Sequence, residues 1–127
     1  MARATSILHI EIPASGEYLA VVRAAATGLA AQLHFTYEQI DDLRIAVDEA
    51  CTQLLARRGS AETLAVDYDV DGSGLCVRVA VAASDLGAPL QHDTFAWQIL
   101  CALTDQVREH ADADGLRLSF RKHGGHT

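Results

Sequence analysis

The stretch AVDEACTQLL, residues 46–55, places a carboxylate at Glu49 and an amide at Gln53. On a helix, residues four apart share one face, one turn from each other. Such a pair offers an acid that can carry a proton and an amide that can hold a ligand. It is either the remnant of a nucleotide site or the wet side of an amphipathic helix, a side that Asp42 shares. Asp85-Leu86-Gly87 is a second candidate, and taken alone it reads as a turn. Arg23 interrupts an alanine-rich helical pattern, as a snorkelling surface charge does. His110, His123 and His126 suggest a metal only weakly, because the spacing supplies no third ligand held by structure.

The elements that must position these residues follow from hydrophobic periodicity. Leu8, Ile10 and Ile12 alternate with His9 and Glu11, which predicts a strand ended by Pro13. Ser15 and Glu17 open a helix to about Leu33, with Leu19, Val22, Ala26, Leu29 and Leu33 at helical spacing. Thr36 and Gln39 spell a capping box, and Phe35 and Ile40 stand where a hydrophobic staple would clamp it. The helix that follows should run from Tyr37 to about Arg57, with Gly59 as its stop. Its buried stripe is Ile40, Leu43, Val47, Ala50, Cys51 and Leu54.

After Ser60 the period becomes two. Leu64 to Val70 and Leu75 to Ala83 read as strands joined by the turn Asp71-Gly72-Ser73-Gly74. Ser84 to Asp93 reads as loop. Phe95 to Val107 reads as a third helix, with Phe95, Ile99, Leu100, Leu103 and Val107 inward and Trp97 in the core. Leu116, Leu118 and Phe120 mark a last strand. The order predicts an α+β two-layer sandwich, a mostly antiparallel sheet with helices on one face. Residues 1–122 form a single domain in this reading, and 123–127 a flexible tail.

Composition narrows the partners. Ten basic against seventeen acidic residues give a net charge of −7, and the densest basic spots are Arg57-Arg58 and Arg121-Lys122. Phosphate backbones need clustered cations, so nucleic acid is not an expected partner. No stretch is long and apolar enough for a signal peptide or a membrane span. Cys51, Cys76 and Cys101 lack metal spacing and read as buried free thiols in a reducing cytoplasm.

With this element order, EYLAVVRAAATGLAAQLHFTYEQIDDLRIAVDEACTQLL (residues 17–55) and FAWQILCALTDQV (95–107) resemble the GHKL, or histidine kinase-like, ATPases. More narrowly they resemble the RsbW-type anti-sigma factors that are also serine kinases, the actinobacterial members in particular. The resemblance covers nearly the whole chain. It implies that Glu49 occupies the place of a general base acting on a partner serine. Gln53 stands where the family has an asparagine that helps hold Mg²⁺, and its extra methylene departs from the short octahedral contacts Mg²⁺ requires. Asp85 stands where the family's aspartate receives adenine; Gly87 is kept and the motif's second glycine is lost.

Nine residues separate Asp85 from Phe95, too few for an ATP lid, and Asp93-Thr94-Phe95 replaces a glycine turn that would cradle phosphates. Asp93 or Thr94 should cap the last helix. Arg23 stands where family members use an arginine on a partner surface. The resemblance therefore implies a cytoplasmic, homodimeric anti-sigma factor that sequesters an alternative sigma factor. A STAS-domain antagonist would release it, and its site for Mg-ATP or ADP would be weakened. An active Mg-ATP-dependent serine kinase is the rival, and an interaction domain without a sigma partner is a third reading.

Overall fold

The computed structural model describes residues 6–88 and 91–124. Strand β1 (Leu8–Pro13) is followed by a 3₁₀ turn (Gly16–Tyr18), then by helices α1 (Leu19–Gln32) and α2 (Tyr37–Leu55). The hairpin β2 (Thr63–Asp71) and β3 (Gly74–Ala82) comes next. Helix α3 (Phe95–Leu103) leads into β4 (Asp105–Asp112) and β5 (Gly115–His123). The strands form one sheet in the order β1-β2-β3-β5-β4, with every neighbouring pair antiparallel. This is the expected α+β sandwich, with a strand more than the sequence suggested.

Helix α2 begins where its capping box places it. The Thr36 hydroxyl accepts from the Gln39 amide at 3.1 Å, and the Gln39 side-chain oxygen accepts from the Thr36 amide at 2.8 Å. The stripe Leu43, Val47, Ala50, Cys51 and Leu54 is fully buried, while Ile40 is half-buried. It packs on Leu64, Val66 and Tyr68 of β2, Leu75, Val77 and Val79 of β3, and Leu116, Leu118 and Phe120 of β5, all within one core. Tyr68 fixes α1 to the sheet, its buried hydroxyl donating to the Val22 carbonyl at 2.7 Å. Burying each such side chain contributes roughly 1.5–3 kcal/mol, so α2 is held by its apolar face and its polar side is left for other work.

Three expectations are corrected. The third helix stops at Leu103, not Val107. Thr104 turns both its amide and its hydroxyl onto the Leu100 carbonyl, and Gln106 adopts φ +55. The following residues then alternate, with Val107 and Glu109 half-buried and Arg108 and His110 exposed, and β4 pairs along the edge that β5 offers. Phe95 is not inward but 76% exposed, because the short helix turns Leu100 to the core instead. Of the cysteines only Cys51 is buried; Cys76 lies on the outer face of the sheet and Cys101 is exposed.

Two residues that the sequence reading put in a tail, His123 and Gly124, are instead held by the sheet. His123 belongs to β5 and pairs with Gly74. Gly124 donates to the Ser73 carbonyl at 3.1 Å and lies so close to the Phe35 ring that no side chain fits there. Residues 125–127, and with them His126, lie outside the described residues.

Candidate functional site

Helix α2 carries Glu49 and Gln53 one turn apart on its half-buried side, and Arg57, in the turn just past its C-cap Ala56, continues the line. The Gln53 amide nitrogen donates to Glu49 Oε2 at 2.9 Å. Arg57 Nη1 donates to both the Gln53 side-chain oxygen and the Gln53 carbonyl, each at 3.0 Å. The amide is thus engaged at both ends. Arg57 is the member that the sequence reading missed, since it read there only as a basic charge at the helix end. Its spacing of four from Gln53 was the available signal.

The Asp85-Leu86-Gly87 loop folds onto the same end of α2. The Gly87 amide donates to the Arg57 carbonyl at 3.0 Å. A side chain at Gly87 would press on Arg57, at 3.4 Å from its Cα. Asp85 Oδ1 accepts from the Ser60 amide at 2.9 Å and the Ser60 hydroxyl at 2.7 Å. These two donors hold the Asp85 carboxyl below its usual range. Gly59, at φ +53, passes so close to the Asp85 backbone that a Cβ would clash, which explains why a glycine ends this turn.

The structure therefore brings Glu49, Gln53, Asp85 and Gly87 to one end of α2, with Arg57 between the two pairs. A cavity of about 300 Å³ opens beside the loop, lined by Ala83, Leu86, Gly87 and the β4–β5 turn. Neither Glu49, Gln53 nor Asp85 lines it. As a donor set for Mg²⁺ the α2 group fits poorly. It supplies one carboxylate, an amide oxygen already taken by a guanidinium, and the positive charge of that guanidinium beside them.

The approach to α3 is filled by its own side chains. Thr94 is the N-cap, its hydroxyl accepting from the Trp97 amide at 3.2 Å. The His92 ring stacks on Trp97 at 3.8 Å between centroids and hydrogen-bonds Glu109 at 2.9 Å. Trp97 was expected in the core; it is half-buried and serves as a platform for His92. Arg23 is half-exposed and pairs with Asp48 of α2 at 2.8 Å. Asp42 receives Lys122, which also donates to the Leu103 carbonyl at 2.7 Å and so ties α2, α3 and β5 together. His110 pairs with Asp112, and among the described residues no cluster of three or more His, Cys, Asp or Glu is arranged to hold a metal.

A five-stranded antiparallel sheet covered on one face by helices, with an acid-bearing central helix and an Asp-x-Gly loop at its end, is the frame of a GHKL domain. A model of the histidine kinase-like ATPase domain matches residues 12–122, and the chain belongs to that family. Its relatives are of the RsbW type. It is similar to the serine-protein kinase RsbW of Bacillus licheniformis, 30% identical over 87 residues, covering 68% of this chain and 54% of that protein. The same protein of Bacillus velezensis is 42% identical over 52 residues, 41% of this chain and 32% of that one. That of Bacillus cereus is 27% identical over 101 residues, 67% of this chain and 63% of that one. The chain thus spans about a third to two thirds of the length of these relatives.

Proposed function

We propose that this chain is an anti-sigma factor. It withholds an alternative sigma factor from RNA polymerase and gives it up to a STAS-domain antagonist that competes for the same surface. The observation that carries this reading is the closed chain Glu49–Gln53–Arg57, together with the side chains that fill the approach to α3. Sequestration needs a folded surface and no phosphates, so a GHKL frame with a degenerate nucleotide site still serves it. Arg23, half-exposed on α1, is the residue assigned to partner contact. The reading includes a homodimer in the cytoplasm; among the described residues no helix is long and apolar enough to cross a membrane.

Two measurements test it. The tagged chain, recovered from its native cell, should bring a sigma factor with it, and Arg23→Ala should weaken that association. Calorimetry with ATP or ADP and Mg²⁺ should show no saturable binding at millimolar nucleotide. Recovery that never includes a sigma factor would overturn the main claim.

The rival reading, a serine kinase, is favoured by the names of the relatives and by the half-buried carboxylate of Glu49. Transfer of labelled phosphate from ATP to an antagonist, abolished by Glu49→Ala, would establish it in place of the degenerate site.

A further inference from the structure

The outer face of the sheet, opposite the helices, carries a charge pattern that the sequence conceals. Strand alternation turns Arg78 of β3, Arg108 of β4 and Arg117 of β5 to this face. Register places Ser119 directly between Arg78 and Arg108, since it is the cross-strand partner of both. Neighbouring strands lie about 4.8 Å apart, and residues two apart on one strand about 7 Å. The three arginines therefore adjoin one serine, and all four residues line one cavity.

Their surroundings neutralise one of them in part: Arg78 lies opposite Asp67, its cross-strand partner on β2, and beside Asp69. Arg108 and Arg117 make no ion pair among the described residues, whereas Arg78 stands 3.8 Å from Asp69 and donates to the Ser6 hydroxyl at 3.4 Å. The Ser119 hydroxyl makes no hydrogen bond among the described residues. Like charges set side by side on a sheet destabilise it. Here they are gathered on a chain whose net charge is −7. Two adjoining cavities, of about 220 and 90 Å³, open on this face, and both are lined by Arg78, Arg108 and Ser119.

We infer that this face is a binding site for a small phosphate-bearing anion, distinct from the α2 end of the domain. Charge complementarity names the class: an oxyanion accepts from guanidinium forks and from a hydroxyl at once. Size narrows it. Both cavities are smaller than the 300–1,000 Å³ typical of drug-sized ligands, and they suit one or two phosphate groups. Arg108 and Arg117 supply the unpaired cations, Arg78 the third, and Ser119 a hydrogen-bond donor at the centre. The inference is independent of the proposed function, because none of its residues belongs to the α2 group or to α1.

The test is calorimetry of the full chain with sodium pyrophosphate in phosphate-free buffer without Mg²⁺. Saturable binding is expected, weakened by added salt. Arg108→Gln and Arg117→Gln should each lower the affinity about tenfold, the loss expected for one charged hydrogen bond. Both side chains are exposed, so the fold should survive, as circular dichroism would report. Gln53→Ala should leave pyrophosphate binding unchanged, which separates this site from the α2 end. Absence of saturation, or an affinity that the double variant leaves intact, would overturn the inference. So would a dimer that the double variant dissolves without any pyrophosphate binding, since the face would then join two copies of the chain.

Discussion

Gln53 holds its amide between an acid of its own helix and a base in the turn that follows it, and Glu49 and Arg57 are consequently each other's indirect partners. The group is half-buried, and helix pairs at this spacing contribute only about 0.2–0.5 kcal/mol. Glu49→Ala should therefore cost no more stability than that, read from the shift of the urea midpoint multiplied by the slope. A larger loss would mean that Glu49 is chiefly a structural residue. Thiol chemistry gives a second expectation at this scale. Burial, with the nearby Asp48 charge, pushes the Cys51 thiol up to about 12, and thiolates are the reactive species. A chromogenic disulfide at pH 8 should modify exposed Cys101 first, the outer-face Cys76 more slowly, and Cys51 only on unfolding. That Glu49 and Gln53 share one face was legible from helical spacing, and the Asp85 loop was marked by its Asp-x-Gly pattern. The role of Arg57 was not, since a motif names a position and says nothing about which neighbour saturates it.

At the scale of elements, legibility follows the strength of local signals. The start of α2 was readable because Thr36 and Gln39 satisfy the first helical amides themselves, whatever the rest of the chain does. Thr36→Ala should cost about 1 kcal/mol, read as a lowered urea midpoint with an unchanged slope. Strand β4 was hidden because Phe95, Ile99, Leu103 and Val107 satisfy a helical period through a boundary that only Thr104 and the edge of β5 impose. Missing β4 also hid the arginine cluster, since Arg108 reaches the outer face only from a strand. At that boundary Gln106 sits at φ +55, a region that costs a side chain with a Cβ roughly 1–2 kcal/mol. Gln106→Gly should accordingly raise stability by up to about 1 kcal/mol, glycine's entropy offsetting part of the relief. A loss of stability in chemical denaturation would mean that the Gln106 side chain holds the α3–β4 junction by contacts of its own.

The whole molecule divides the charge of its open sheet face, acids on β1 and β2 and arginines on β3, β5 and β4, and this division sets its response to pH. On the acidic half, hydrogen bonds from His9 to Glu11 and then to Asp67 raise the histidine above 6.5. Burial pushes the Asp67 carboxyl up, but the His9 ring and the Ser6 hydroxyl outweigh it and hold the group below its usual 3.8. A raised histidine contributes stability that is complete below its unfolded value, about 6.5, and lost as pH rises through the folded value. A depressed carboxylate contributes stability present above its unfolded value and lost as pH falls through the folded one. Asp85, held down by Ser60, and Asp112, held down by the Asp114 amide, add to that acid limb. Urea midpoints measured from pH 2 to 9 should thus fall on both sides of a plateau: below 3.8 as the carboxylates are protonated, and above 6.5 as His9 loses its proton. His9→Gln removes the cation and keeps a hydrogen-bonding side chain. It should flatten the upper limb, and it should leave the part of the acid limb due to Asp85 and Asp112 in place. An upper limb that persists unchanged in His9→Gln would assign it to another group and leave the His9–Asp67 pair as surface decoration, screened by solvent on the exposed edge of the sheet.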